Sequence, residues 1–578
     1  MKKLLWLLLP FTFTVTQAQE GGVIQPAEND SVQPAEEPEK TDYGRVFGGL
    51  ESNAQWYLND KGRNLAQPED PIRSNNYLLV NYQYKRFTAG VQVEAYEKNA
   101  LLNFNPGFKG TDVGTYYVNY KADKLEATAG YFYEQFGSGL LLRAWEDRAL
   151  GINTALRGGR VIYRPTDNTK FTGLYGRQRS GFDVADGDIY GFDSEFNMSS
   201  LLKFEETDLA FGASYVGRYE KIPFPDASFN SLTGAYAARI NFVQGAFYAF
   251  AEYNYKDKDA VLDTQNKINN NFVKSGNAVL LNFGYSKQGL GIDATLRRIE
   301  NFKFLSEREP TAVDLTTTTL NFNDKVLNFT PALTKQHHSN LSNIYVFQSQ
   351  SKVDYLSGQI MKAGETGGQL DVFYEFAPES NLGGKYGTKI AANASGWYNL
   401  PGSYRLTPSD YDTKFFGFGT KYFSDYNIEI RKKLSESWHT ALYYIDQFYN
   451  KEWLEGGETV KTNIVVGEAI YNFTPTTSLR VEGEHMWADA DRKNWAGATV
   501  ELNLYDRYSI YVWDIYNYGN DDENQQTHYY NVGGAYRIGS TRIAANYGRQ
   551  RGGLVCVGGV CRFVPESTGF SLSLSTAF

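Results

Sequence analysis

The chain has 578 residues, of which 42% are apolar and 21% are charged, and its formal net charge is −9. Aromatic residues are abundant (43 Tyr, 37 Phe and 9 Trp), and there are 55 Gly but only 2 Cys. This composition excludes a wholly disordered chain and a small disulfide-stapled fold. The negative mean hydropathy excludes a polytopic helical membrane protein, and the acidic balance gives no basis for binding nucleic acid.

The N-terminus has the three parts of a secretory signal peptide. Two lysines precede an apolar run over residues 4–13, and the small-residue exit Thr16-Gln17-Ala18 follows. The run is shorter than the roughly 20 residues that a spanning helix needs. We therefore predict a signal peptide over residues 1–19, with an N-terminal anchor as the alternative. Residues 20–43 are rich in Pro and Glu and are predicted to form a solvated periplasmic linker.

From residue 44 to the end, segments of about nine to thirteen residues alternate small or apolar residues with polar ones. Residues 87–95, 125–134 and 498–504 are clear examples. A period of two places the two sets on opposite faces of a strand. The sequence therefore predicts an all-β domain over residues 44–578.

The strands are longer than those of a soluble β-sandwich, and their polar faces carry charges such as Arg480, Glu482 and Glu484. Tyrosines cluster at strand ends. Long strands with an apolar face toward lipid and a polar face toward a lumen are typical of transmembrane barrels. Short and long connections also alternate, as periplasmic turns and external loops do. We predict a large antiparallel transmembrane barrel of about 24 strands (22–26), in the outer membrane. The long connections are predicted at 58–75, 97–113, 134–157, 257–276, 299–367 and 399–421.

The last strand carries the sharpest local signal. Phe570, Leu572 and Leu574 alternate with serines, and the chain stops on Phe578. A terminal aromatic residue on such a strand resembles the signal that barrel-assembly machinery recognises. The alternative is a chance terminal Phe on a soluble strand.

No enzyme motif is present: the sequence has no P-loop, HExxH, zinc-type CxxC pair or strand-flanked GxSxG. We therefore predict no enzyme activity, no cofactor and no metal. The adjacent His337 and His338 are predicted to lie in a solvated loop, because neighbours on an extended chain point to opposite sides. Cys556 and Cys561 are predicted to form a disulfide in the last long loop, with free thiols as the alternative.

The connection at 134–157 suggests a pore constriction. Gly137 and Gly139 allow a sharp bend, and the loop and its flank carry six charges that can pair. A barrel this wide leaves an aqueous lumen unless something fills it. One hypothesis is therefore that the segment folds inward and that its charges set the selectivity of the pore. The alternative, held equally, is an external loop whose charges are solvated. The connection at 299–367 is a second candidate plug, since it is too long for an ordinary loop. The six constriction candidates are Arg143, Glu146, Asp147, Arg148, Arg157 and Arg160.

Two stretches are similar to a family of Bacteroidota outer-membrane proteins of unknown function. The first runs from Phe136-Gly137-Ser138-Gly139 to Leu156-Arg157-Gly158-Gly159-Arg160, and the second is residues 329–336. The resemblance covers most of the mature chain. It implies a large outer-membrane barrel and assigns no activity or site residues.

Two functions follow from these features. The first is a porin-like passage for polar solutes, partly constricted by inward-folded loops. The second is a loop-blocked barrel that serves as an interaction scaffold for protein partners. Predicted partners are outer-membrane lipid, the barrel-assembly machinery and envelope lipoproteins, and the oligomeric state stays open.

Overall fold

The computed structural model describes residues 43–98, 100–101, 107–199, 202–222, 227–263, 267–308, 325–356 and 358–578. The predicted signal peptide and residues 20–42 of the predicted linker lie outside the described residues.

Twenty-four antiparallel strands form one closed sheet, which confirms the predicted fold class and strand number. Each strand pairs with its neighbours in sequence, and the last strand pairs with the first from Gly49↔Ala577 to Leu58↔Thr568. The strands are β1 (Arg45–Leu58), β2 (Ile72–Tyr84), β3 (Phe87–Glu97), β4 (Gly110–Lys121), β5 (Leu125–Phe132), β6 (Leu156–Thr166), β7 (Thr169–Ser180), β8 (Asp183–Asn197), β9 (Thr207–Tyr219), β10 (Leu232–Gln244), β11 (Phe247–Leu262), β12 (Ile268–Lys287), β13 (Leu290–Glu300), β14 (Gly364–Phe376), β15 (Thr388–Tyr398), β16 (Lys421–Lys433), β17 (Trp438–Tyr449), β18 (Val460–Thr474), β19 (Thr477–Ala488), β20 (Trp495–Leu504), β21 (Tyr508–Tyr516), β22 (His528–Ile538), β23 (Thr541–Gln550) and β24 (Ser567–Ala577).

The two faces of the sheet carry opposite chemistry, as period-two patterning requires. On β21, Ile510 and Val512 point outward and are exposed, whereas Tyr511 and Ile515 point inward and are buried. The same alternation places Glu482 and Glu484 on the inner face of β19 and leaves Val481 exposed outside. An apolar outer surface around polar inner walls is the arrangement of a transmembrane barrel.

Short turns join the strands at one end of the barrel, which we call the turn rim, and most longer connections lie at the other end, the loop rim. Two connections at the loop rim are short, and one of them, 257–276, is predicted to be long. Residues 257–276 are mostly strand, because β11 and β12 continue pairing to Leu262↔Ile268. Residues 181 and 182 alone join β7 to β8.

Smaller elements decorate the connections. Two-stranded pairs form between residues 135–136 and 142–143, 146–147 and 152–153, 354–356 and 360–362, 402–406 and 409–413, and 553–557 and 560–564. The helical turns are Lys61–Arg63, Leu341–Asn343, Lys451–Leu454 and Glu523–Gln525. Among the described residues, no helix is long and apolar enough to cross a membrane.

Two neighbouring alanines on β23 provide a matched test of which face meets lipid. Ala545 lies on the outer face and Ala544 on the inner face. We expect Ala545→Arg to lower the free energy of unfolding in lipid vesicles by about 2–4 kcal/mol, the cost of an arginine in the bilayer core. Ala544→Arg should cost less than about 1 kcal/mol, since its charge meets a polar lumen. Denaturant titration of both variants checks this, and equal losses would contradict the assignment of faces.

Candidate functional site

Charged side chains of the inner wall are paired with one another across adjacent and next-but-one strands. Arg239 on β10 contacts Asp193 at 2.9 Å and Glu195 at 3.1 Å, both on β8. Arg480 on β19 contacts Glu468 on β18 at 2.6 Å. Charges in a confined wall are tolerated when they are paired and hydrogen-bonded. The charged side chains of the inner wall are therefore held in place by one another and are not individually solvated.

The first lumen segment, residues 133–155, leaves the wall where β5 ends and returns at β6. Its two short hairpins are turned by glycines, and Gly137 and Gly139 have φ of +54° and +91°. A Cβ on Gly137 would lie 2.5 Å from Oε2 of Glu252, a carboxylate on the inner face of β11. The backbone N–H of Ser138 donates to that same oxygen at 2.9 Å. The positive φ and the close approach to Glu252 therefore favour glycine where this segment meets β11.

Polar contacts hold the second hairpin of this segment against β1, β2 and β3. Arg148 donates to Glu51 at 2.9 Å and to Gln92 at 2.8 Å, and its guanidinium lies over the Tyr77 ring. Leu140, Leu141 and Leu142 in the first hairpin pack against inward-facing apolar residues of β7 to β9. The segment thus contacts the wall on several sides.

Five of the six predicted constriction residues lie inside the barrel. Arg143 lies over the rings of Trp145 and Phe329, and Glu146 accepts a hydrogen bond from Gln92 at 3.1 Å. Asp147 accepts one from the N–H of Leu150 at 2.9 Å, and burial raises the pKa of its carboxyl. Arg148 has the contacts given above. Arg160 is a wall residue of β6, paired with Glu126 at 2.7 Å and Glu134 at 3.1 Å.

The sixth prediction, Arg157, is wrong as a lumen residue. Strand β6 begins at Leu156, so Arg157 belongs to the wall rather than to the loop. It shares the outward parity of Val161 and Tyr163, both exposed on the outer face. The loop boundary that the sequence suggested, residue 157, is therefore two residues too late, and the outward parity of Arg157 on the strand places its side chain outside the lumen.

The second lumen segment, residues 325–363, binds the first one directly. The N–H of Arg143 donates to the carbonyl of Leu327 at 2.8 Å, and the N–H of Phe329 donates to that of Gly139 at 2.9 Å. The Phe329 ring lies edge-on to Trp145, with centroids 5.4 Å apart. The two segments therefore form one hydrogen-bonded unit.

Three wall strands hold the middle of the second segment. Arg297 on β13 donates to the carbonyl of Pro331 at 2.6 Å, and the indole N–H of Trp397 on β15 donates to that of Leu333 at 3.1 Å. Lys335 donates to Asn427 at 3.0 Å and Glu429 at 3.2 Å on β16. Backbone carbonyls and a lysine of the segment are therefore matched to donors and acceptors of the wall.

The prediction that His337 and His338 lie in a solvated loop is wrong. His337 is buried against Asp425 of β16 at 2.9 Å, and His338 contacts Glu482 of β19 at 2.7 Å. They do point to different partners, as alternation predicts. His338, Glu468 and Glu482 are close enough together to hold a metal ion. However, Arg480 pairs with both glutamates, so their charge is already compensated.

Apolar packing fixes the far end of the second segment. The Phe347 ring stacks on Trp397 and on Phe423, with centroids 5.9 and 5.6 Å apart. Leu341 and Ile344 join the same buried cluster. Since these wall residues are inward-facing, a folded core exists inside the barrel itself.

The disulfide hairpin, residues 553–564, lies against both lumen segments. Cys556 and Cys561 are bonded to each other. The N–H of Ala332 donates to the carbonyl of Gly559 at 2.8 Å, and Gln336 donates to that of Cys556 at 2.9 Å. On the other side, Arg562 donates to the carbonyl of Leu150 at 3.1 Å.

A cavity of about 590 Å³ lies between the first lumen segment and the turn-rim half of the wall. Its lining is mixed. Gln135 and Ser138 from the segment and Arg239 and Asn282 from the wall are polar, whereas Phe211, Phe250, Leu280 and Leu333 are apolar. The space can hold water and small polar solutes.

The wall residues that bind the two segments were not singled out by sequence reasoning. Glu252, Glu365 and Asp425 are buried acids, and Glu51 is a partly buried one; each contacts segment residues or the wall arginines that hold them. Each stands in a strand at a position of inward parity. In the sequence, such a residue can be found as a charge at an inward-facing position of a strand, but this pattern does not identify the residue that it contacts.

Comparisons with solved structures give only loose matches. The siderophore receptor PirA from Pseudomonas aeruginosa matches with a TM-score of 0.39 and 10% identity, covering 93% of this chain and 81% of that one. The P pilus usher (PapC) translocation pore gives 0.36 and 8%, covering 92% and 99%. A BenF-like porin from Pseudomonas fluorescens Pf-5 gives 0.32 and 9%, covering 93% and 99%. Similarities this loose carry no argument about function.

No curated protein matches the chain. The predicted Bacteroidota origin stays a prediction. A family model, described as a family of unknown function (DUF6029), matches residues 1–578. The chain belongs to this family.

Proposed function

We propose that the protein is an outer-membrane passage for polar solutes that its two lumen segments hold closed at rest. The observation that carries this proposal is the hydrogen-bonded unit of both segments, bound to inward-facing polar side chains above a partly polar cavity. A barrel that served only as a scaffold would need no such cavity on one side of its plug.

The closed state depends on contacts that can be exchanged for water. Many of the segment-to-wall contacts are hydrogen bonds and ion pairs, such as Lys335 with Glu429, beside apolar contacts such as that of Phe347 with Trp397. Water can replace each of the polar contacts if the unit moves, so the energetic difference between closed and open states is smaller than the number of contacts suggests. A plug held in this way can open, whereas one held by apolar packing alone would expose a core.

The alternative is a permanently blocked barrel that acts as an envelope scaffold, with lipoproteins as partners. The apolar cluster around Phe347 favours this alternative. Electrical silence of a folded sample under all conditions would support it. No catalytic role is proposed for either form.

The outer surface and the last strand support the proposed location and assembly. Phe570 and Leu572 are exposed on the outer face of β24, and Phe578 continues the pairing with Gly48 of β1. We propose that Phe570, Leu572, Leu574 and Phe578 are recognised by the barrel-assembly machinery and afterwards face lipid.

Releasing the second lumen segment should open the passage. In the double variant Lys335→Ala and His338→Ala, two contacts to wall carboxylates are lost. A hydrogen bond to a charged group contributes about 1.5–3 kcal/mol, so the open population should rise at least about tenfold. Conductance in planar bilayers measures this.

The matched control for that experiment is Lys389→Ala. Lys389 lies on β15 and pairs with Glu375 of the neighbouring strand, without contact to either segment. This variant should keep the wild-type conductance. Equal conductance of all three proteins would contradict closure by the second segment.

The disulfide hairpin should stabilise the closed state. In Cys556→Ser with Cys561→Ser, the hairpin loses a cross-link worth about 2 kcal/mol for so short a loop. We expect more frequent openings in planar bilayers, and the same change when wild-type protein is treated with dithiothreitol. The double variant should not respond to the reductant. Unchanged openings in both samples would show that the hairpin plays no part in closure.

A further inference from the structure

Three phenylalanines in the connection from β15 to β16 extend from the outer side of the loop rim. Phe415, Phe416 and Phe418, which we call the aromatic finger, are 49%, 84% and 66% exposed. Gly417, between Phe416 and Phe418, has a φ of +107°, a conformation that glycine adopts readily, and the rings of Phe415 and Phe416 lie edge-on with centroids 4.9 Å apart. Exposed apolar side chains grouped in this way indicate an interaction site.

The base of the finger is held in place. The preceding hairpin is fixed to β12 by an ion pair between Lys274 and Asp410 at 2.7 Å. Lys274 also donates to the carbonyl of Tyr411 at 2.7 Å, and the N–H of Lys414 donates to the carbonyl of Pro401 at 2.8 Å. The rings are therefore presented by an anchored loop, and their exposure is a property of the fold.

The finger continues the lipid-facing surface of the barrel. The Phe418 ring lies 4.9 Å from that of Tyr398, the last residue of β15, and the Arg298 guanidinium lies 4.8 Å from the Phe415 ring. Arg298 follows Leu296 on the outer face of β13, where Leu296 is 52% exposed. The finger therefore begins where the apolar band ends.

Charge complements this position. Lys414 and Lys421 flank the three rings in sequence, and Lys414 is exposed. Aromatic rings with basic neighbours are typical of the border between acyl chains and lipid headgroups. A site for another protein or for a second copy of the chain has no need to lie at the edge of the lipid-facing band. The position of the aromatic finger therefore favours lipid as its ligand.

We propose that the aromatic finger binds lipid, with its rings among the acyl chains of the leaflet on the loop-rim side and its lysines at the headgroups. This surface is separate from the passage. It gives the barrel a lipid contact formed by a loop, beyond the contacts of its strands.

Spin-label accessibility in liposomes tests the proposal. A nitroxide side chain is placed at Phe416→Cys, since the native cysteines are bonded to each other. The lipid control is Leu442→Cys on the outer face of β17, and the aqueous control is Glu523→Cys in an exposed helical turn of the loop rim. Power saturation with oxygen reports lipid, and saturation with a nickel chelate reports water. Heat-modifiable gel mobility confirms that each variant is folded.

The label at 416 is expected to match the label at 442, with high oxygen and low nickel accessibility. Nickel accessibility equal to that at 523 would place the finger in water and overturn the proposal. Low accessibility to both reagents would show a protein partner or a second copy, and would overturn it too. If the label at 442 itself lies in water, the membrane placement fails along with the finger, whereas failure at 416 alone leaves the proposed passage intact.

Discussion

The structure depends on one constraint: every backbone N–H and C=O that faces an apolar layer needs a partner within the protein. A sheet meets this constraint only when it closes, because an open edge leaves a row of unpaired groups. Here the closure is the pairing of β1 with β24, extended by the two hydrogen bonds between Gly48 and Phe578. The apolar outer face and polar inner face are consequences of that closed ring.

Closing a sheet of this many strands leaves a wide lumen inside the barrel. Barrels of about 22 strands enclose a lumen wide enough to need a plug. Here the connections fill it, because both lumen segments return to the wall within the same chain. Their carbonyls, carboxylates and cations are matched to wall groups such as Arg297 and Glu252. The inner wall therefore has two roles, since it is the lining of the proposed passage and also the binding site of the plug.

Period-two patterning predicted the fold, the strand number and the inward charge of residues such as Glu482, because parity is a local property of a strand. It failed at the ends of strands. Arg157 is predicted within the connection at 134–157, yet the pairing Arg157↔Tyr131 extends β6 to include it. Residues 257–276 are likewise predicted as a long connection, although β11 and β12 continue pairing to Leu262↔Ile268. In both cases the end of a strand is set by how far its partner strand continues, and the sequence of one strand does not contain that information.

The sequence indicates that a plug can form, but it does not indicate which path the plug residues take through the lumen. The length of 299–367 and the glycines near residue 138 indicated inward folding, but the contacts join residues far apart in sequence, such as His338 with Glu482 and Gln336 with Cys556. These contacts depend on the shape of the closed barrel. For the same reason, His337 and His338 looked like a solvated pair when only their neighbours in sequence were considered.

Hydrogen exchange of the folded protein in lipid, followed by mass spectrometry, tests the central claim most directly. The account predicts that peptides covering residues 327–345 exchange far more slowly than residues 519–526 of an exposed loop. The segment is enclosed by the barrel, and amides such as those of Leu327, Phe329, Ala332 and Leu341 are hydrogen-bonded there. Exchange of residues 327–345 as fast as that loop would show that the lumen is not filled by this segment.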